Sequence, residues 1–191
     1  HHDFSRMRCS SEYDVAIIGG GPAGAAAGTQ LAKAGLKPVI LEKEKFPRFC
    51  IGESLLPFGN ILLKQLGVWN QMEEAGFLRK YGAEFCTGDK SRLRRFWFGQ
   101  TLGASCEYSY QVERSKFDEL LLNNARSHGC EVHEETRVSS IENLDAKKMQ
   151  LHCEYCNGMG AIPNPETGKM NTCTRCPGNV SREVHSCGCT I

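Results

Sequence analysis

The sequence predicts an α/β fold, a parallel sheet flanked by helices, followed by a small cysteine-rich tail. Three observations predict it. An apolar run, Val15-Ala16-Ile17-Ile18, stops at three consecutive glycines; an Ala- and Leu-rich helical stretch follows directly; a second apolar run, Pro38 to Leu41, is closed by Glu42. Short uninterrupted apolar and β-branched runs are what strands buried on both faces require. Strand, turn, helix and strand make one βαβ unit, whose crossover is expected to be right-handed.

The elements follow in order. The first helix is expected over Pro22 to Ala34, with Gly35 as its stop. Ser54 to Leu66 carries Leu55, Ile61, Leu62 and Leu66 at helical spacing, and a further helix is expected from Val68 to Ala75. Residues 82 to 111 alternate unevenly around Phe85, Phe96, Trp97, Phe98 and Tyr108 and predict two or three antiparallel strands. Arg114 to His128 places Phe117, Leu120, Leu121, Leu122 and Ala125 along one helix, with Ser115 as N-cap and Gly129 as stop. Cys130 to His133 is expected as a third parallel strand, and Thr136 to Glu142 opens another.

Charge narrows the function classes. The chain has 191 residues, with Lys+Arg 23 against Asp+Glu 22 and a net charge of +1. That balance lacks the basic surplus that drives non-specific nucleic-acid or anionic-membrane binding, so no nucleic-acid partner is expected. The most apolar stretch, Val15 to Ala32, is interrupted by glycines and Pro22, so no membrane span is expected. No secretory leader is recognised ahead of the first strand, and a cytoplasmic setting is the expectation.

Gly19-Gly20-Gly21-Pro22-Ala23-Gly24 is a GxGxxG turn after a strand and before a helix, with Glu42 ending the next strand. This is the context of a Rossmann-like dinucleotide site. Gly19 permits the tight turn, Gly21 lets a pyrophosphate reach the helix N-terminus, and Gly24 lets helix and strand approach. Glu42 stands where a carboxylate accepts from ribose hydroxyls. The alternative is a glycine-rich turn that serves packing alone.

Residues 12 to 142 resemble the N-terminal part of FAD-dependent oxidoreductases of the p-hydroxybenzoate-hydroxylase fold, in the flavin-dependent halogenase and geranylgeranyl-reductase-like branch. Three stretches carry the resemblance: the dinucleotide turn with Glu42, the run from Phe46 to Pro57 with its Gly52-Glu53-Ser54 segment, and Val112-Glu113-Arg114-Ser115-Lys116-Phe117-Asp118. The resemblance implies FAD as cofactor, bound by Gly19, Gly21, Pro22, Ala23, Gly24, Glu42, Lys43, Arg48, Glu53, Ser54 and Arg114. A planar guanidinium at Arg48 or Arg114 suits pyrophosphate or ribose oxygens, and its bland alternative is a surface ion pair.

Gly76 to Phe85 resembles the segment that holds the halogenase lysine, and Lys80 is the matching position. The resemblance implies that Lys80 is catalytic, its amine directing an oxidised halide to a small-molecule substrate; the alternative is a solvated surface lysine. A separate flavin reductase is the electron source that such a branch implies. Hydroxylation and reduction remain open beside halogenation. A second FAD segment with a Gly-Asp pair, a W-x-W-x-I-P segment and a substrate domain are not recognised after Glu142, so the FAD-binding domain is expected to be incomplete, truncated and fused to the tail.

The tail has a different chemistry. Of 11 cysteines, six crowd into its sequence, and Cys153-x-x-Cys156 and Cys173-x-x-Cys176 stand 16 residues apart. That is zinc-ribbon spacing, and Cys153, Cys156, Cys173 and Cys176 are the expected Zn²⁺ ligands, with His152 and His185 as possible substitutes. Large apolar residues are sparse after residue 142, so metal binding would have to supply folding free energy. Disulfides or an unstructured thiol-rich tail are the alternatives. Cys153-Glu154-Tyr155-Cys156-Asn157-Gly158-Met159-Gly160 resembles the CxxCxGxG repeat of DnaJ-type co-chaperones, which implies a protein client. The organisation expected is a FAD-binding domain over 12–142, a linker over 143–152 and a zinc module over 153–189. The leading function is a FAD-binding oxidoreductase of the halogenase or monooxygenase kind. The alternative is a non-enzymatic zinc-binding interaction module on a vestigial flavoprotein fragment.

Overall fold

The structure is a computed structural model. It describes residues 13–89, 91–100, 107–145, 148–153, 161–163, 170–172 and 179–181, with side chains up to residue 141. The chain divides into two units, residues 1–48 with 121–191 and residues 49–120.

The first unit is built on a parallel sheet in the order β1 (Val15–Ile18), β2 (Pro38–Leu41), β7 (Glu131–His133), numbered along the chain. Ala16 lies opposite Val39, and Val39 in turn opposite Glu131. β2, central among these strands, is buried at all four residues, as its unbroken apolar sequence demands. Tyr13, Ala16, Val39 and Leu41 form a buried cluster against which Val138 packs. Between β1 and β2 runs α1 (Pro22–Lys33), and Gly35 leaves it with φ +81°. Asn124 Nδ2 donates to Thr29 Oγ1 at 3.3 Å, which joins α1 to the C-terminal part of α4 (Arg114–Ser127). α4 stops at Gly129, φ +95°, and β7 follows.

The expected three parallel strands and the first helix are therefore present. α4 begins one residue ahead of the expected cap. Phe117 N–H bonds Glu113 O, so Ser115 lies inside the helix, and its hydroxyl bonds the Glu113 side chain instead of capping. β8 (Val138–Asp145) runs on through position 142 and pairs with β9 (Lys148–Cys153), which also pairs with β12 (Asn179–Ser181). β10 (Ala161–Pro163) and β11 (Met170–Thr172) form a separate antiparallel ladder.

Among its described residues the second unit holds α2 (Pro57–Leu66), α3 (Trp69–Glu74) and four strands. The helix expected from Ser54 starts only at Pro57. Pro57 is at home in a first helical turn, where its missing N–H costs nothing. Residues 54 to 56 are instead extended, because Ser54 bridges Gln111 and Leu55 N–H bonds Tyr110 O at 2.9 Å. β3 (Leu78–Lys80) pairs with β6 (Ser109–Gln111), and β4 (Gly82–Cys86) with β5 (Leu93–Trp97). Three strands thus fall inside the range expected to hold two or three, while β3 was not expected. Leu63, Leu66, Val68, Met72, Tyr110 and Val112 are buried here.

The tightest approach is at Gly24, where an added Cβ would lie 2.0 Å from Gly19 O. Backbone cannot yield as a flexible side chain can. Gly24→Ala is expected to lower unfolding free energy by about 2 kcal/mol or more, measured by urea denaturation; a loss within error would mean that α1 does not need this approach.

Candidate functional site

In the first unit the dinucleotide turn is held open by its backbone. Gly19 has φ +104° and its N–H bonds Leu41 O at 2.8 Å. Gly21 is the N-cap of α1, with no side-chain cap and no acidic residue in the first turn. Pro22 and Ala23 begin the helix, so its positive end is left without a side-chain partner. A Cβ on Gly21 would meet only Arg48 Nη2, at 3.4 Å, so the guanidinium stands beside the turn. Arg48 lies 3.3 Å from Glu44 Oε2 through Nε and stacks over Phe46 at 4.8 Å.

Glu42 is 3% exposed, and its carboxylate is fixed. Oε2 accepts from Gly20 N–H at 2.6 Å and Oε1 from Glu44 N–H at 2.9 Å. Thr136 N–H bonds the Glu42 carbonyl, and Glu42 N–H bonds His133 O, so the loop after β2 is tied to the strand beside it. The structure thus brings Gly19, Gly21, Gly24, Glu42 and Arg48 together, with Lys43 exposed at their edge. An uncapped helix N-terminus, a fixed cation and an oriented carboxylate fit the diphosphate and ribose of a dinucleotide such as FAD.

In the second unit Arg114 is a clamp. Its Nε and Nη2 donate to the two oxygens of Asp118 at 2.7 and 3.0 Å, while Nη1 donates to Ile51 O at 2.6 Å. Asp118 is fully buried, and its hydrogen bonds raise the Arg114 pKa above the ordinary arginine value. Gly52, φ +98°, leaves room for the guanidinium, since a Cβ there would lie 3.1 Å from Nη1. Arg114 therefore holds the Ile51-Gly52 backbone in place. Glu53 is exposed and accepts from Gln111 Nε2 at 3.3 Å. Lys80 ends β3, donates to Ser54 Oγ and lies 5.5 Å from the centre of the Phe98 ring. Burial lowers its pKa from the ordinary lysine value.

Sequence reading missed a polar aromatic cluster in the same unit. Tyr108 and Tyr110 both donate to Glu73 Oε1, and Arg79 pairs with Oε2. Arg79 also stacks over Tyr108 at 4.6 Å, and Trp69 lies 5.8 Å from Tyr110. Only the i, i+2 spacing of the tyrosines was a signal; their acid comes from a distant helix. Beside them, Tyr81, Gly82, Ala83, Glu84, Arg95, Phe96 and Trp97 line a cavity of about 430 Å³.

Among the described residues no group of three or more His, Cys, Asp or Glu is placed to hold a metal. Cys153 closes β9 with its side chain undescribed, and Cys156, Cys173, Cys176 and His185 lie outside the described residues. No helix among them is long and apolar enough to cross a membrane.

The turn, the fixed acid and the parallel sheet define a dinucleotide-binding unit. The chain belongs to the FAD binding domain family, whose sequence model matches residues 12–152. It is 36% identical over 149 residues to a 1H-pyrrole-2-carbonyl-[peptidyl-carrier protein] chlorinase of Pseudomonas fluorescens, covering 70% of this chain and 33% of that protein. It is likewise 36% identical over 136 residues to a tryptophan 2-halogenase of Chondromyces crocatus, covering 71% of this chain and 25% of the other. Among solved structures, a flavoprotein/dehydrogenase from Cytophaga hutchinsonii superposes with TM-score 0.72 at 30% identity, over 91% of this chain and 38% of its own. The flavin-dependent halogenase CmlS gives 0.71 at 34%, over 91% and 28%. The match thus spans a quarter to a third of the curated relatives' length. The segment is similar to flavin-dependent halogenases, as its motifs implied.

Hydrogen bonds from Tyr110, then Tyr108, hold Glu73 below the ordinary carboxylate value of 4.5. A depressed folded-state pKa means that its stabilisation is complete above that value and is lost as pH falls through the lower folded one. Glu73→Gln is expected to lose about 1–2 kcal/mol at pH 7 and to show a shallower fall in Tm between pH 5 and pH 3 than the parent; parallel curves would exclude the cluster from acid sensitivity.

Proposed function

We propose that this chain supplies the FAD-binding part of a flavin-dependent halogenase-type oxidoreductase that acts on a small-molecule substrate. The observation that carries the reading is the α1 N-terminus without a side-chain cap, set beside a Glu42 carboxylate already oriented by Gly20 N–H. Backbone N–H groups and the helix dipole would hold the diphosphate, Arg48 would neutralise it, and Glu42 would accept from the ribose hydroxyls. Bound FAD supplies the redox chemistry with oxygen that no side chain provides.

Lys80 is read as the reacting amine. Its support is the similarity to halogenases, together with a half-buried amine that rests on a hydroxyl and a ring face. Arg114 keeps the Gly52-Glu53-Ser54 segment in shape by gripping its first carbonyls. A separate flavin reductase as electron source completes the reading. For the tail we retain zinc binding by Cys153, Cys156, Cys173 and Cys176. Its support is their spacing and the two ladders, β9 with β12 and β10 with β11, that flank the two motifs in the chain.

The test is titration of the full chain with FAD, read by flavin fluorescence, and with ADP by calorimetry. Saturable binding of both is expected, and Glu42→Ala should weaken each about tenfold, the effect of losing roughly 1.4 kcal/mol. FAD binding that Glu42→Ala leaves unchanged would overturn the assignment of the ribose contact; no binding of either ligand would overturn the reading. About one zinc per chain by elemental analysis is expected for the tail; a metal-free, chelator-insensitive chain would remove that part.

A further inference from the structure

Ser54 and Lys80 meet side chain to side chain although 26 positions separate them. β6 joins them. Ser54 bridges Gln111, flanked by Leu55 N–H to Tyr110 O and Val112 N–H to Glu53 O, and Lys80 stands opposite Ser109 in the β3–β6 ladder. Beneath the amine lies Phe98, 8% exposed, whose N–H is fixed by Tyr81 O at 2.9 Å.

Among the described residues the acids and cations around this pair are engaged elsewhere. Glu53 accepts from Gln111, Glu73 on α3 takes Tyr108, Tyr110 and Arg79, and Glu84 on β4 pairs with Arg95 at 2.5 Å. Arg79, next to Lys80, is thereby turned to Glu73. A carboxylate in the place of Ser54 would hold the proton on the amine; a hydroxyl gives direction without that charge. A serine oxygen accepts from an ammonium and its O–H can turn to donate to a neutral amine, so it serves both protonation states.

Resting on the reading of Lys80 as the reacting amine, we propose that Ser54 is its positioning residue, accepting the ammonium hydrogen bond where an ion pair would lock the proton and donating to Nζ once the proton has left. This role is additional to the cofactor contact implied for the Gly52-Glu53-Ser54 segment.

The experiment is acetylation of the full chain with acetic anhydride across pH, read at Lys80 by peptide mass spectrometry, with added Nα-acetyl-lysine as reference. In the parent, Lys80 is expected to become reactive at lower pH than the free lysine reference, consistent with its lowered pKa. Ser54→Asp adds a carboxylate and should raise the apparent pKa by about one unit, a roughly tenfold loss of neutral amine below that pKa. Ser54→Ala removes the acceptor and should move the profile the other way, while Ser54→Thr restores it. The Ser54 bridge to Gln111 is a backbone pairing, so the variants keep it, and near-ultraviolet circular dichroism checks the fold. A Lys80 profile that starts early in the parent but ignores Ser54→Asp and Ser54→Ala overturns the positioning role alone. A parent Lys80 that titrates with the free lysine reference overturns the reading of the reacting amine, and the proposal with it.

Discussion

The missing side chain at Gly24 is the constraint on which the first unit depends. With Gly19 O only 2.0 Å from where a Cβ would stand, no other residue lets α1 leave β1 at so short a distance. Gly28 repeats the device one turn later, against Ile40 and Cys130. Close helix–strand packing brings the helix's positive end to the carboxyl end of the strand, where parallel sheets bind their ligands. The burial that allows this packing also pushes the Cys130 thiol up to about 12, which makes it an inert part of the core.

Each unit then uses a buried acid to hold its polar machinery. Glu42 grips the backbone of the glycine turn, and Asp118 grips Arg114, which grips the loop before Glu53. A buried carboxylate is costly unless its oxygens are filled by donors. Both acids have those donors, so the geometry they enforce is rigid where a ligand would need it. β6 plays the corresponding part in the second unit. It pairs with β3, bridges Ser54 and carries Tyr110 to Glu73, while Tyr108, just ahead of it, also reaches Glu73 and offers its carbonyl to Asn60 Nδ2 at 2.7 Å.

The similarity to halogenases covers most of this chain. The family match reaches residue 152, and the solved relatives superpose on about nine-tenths of this chain while extending well beyond it. The shared part is the one that forms a dinucleotide turn.

The sequence by itself determined the βαβ unit, its glycines and Glu42, because buried parallel strands and a tight turn admit few residue types and so leave a dense local signature. α4 was legible from its apolar spacing, whereas the grip of Asp118 on Arg114, expected as a cofactor contact, was not. Other features were decided only by tertiary structure. Residues 54 to 56 carry apolar spacing that suits a helix, yet pairing with β6 draws them out into an extended segment. The bonds of Tyr108 and Tyr110 to Glu73 and the Ser54-Lys80 contact join residues 26 to 37 positions apart. No local periodicity records such a meeting, because it depends on which strand lies beside which.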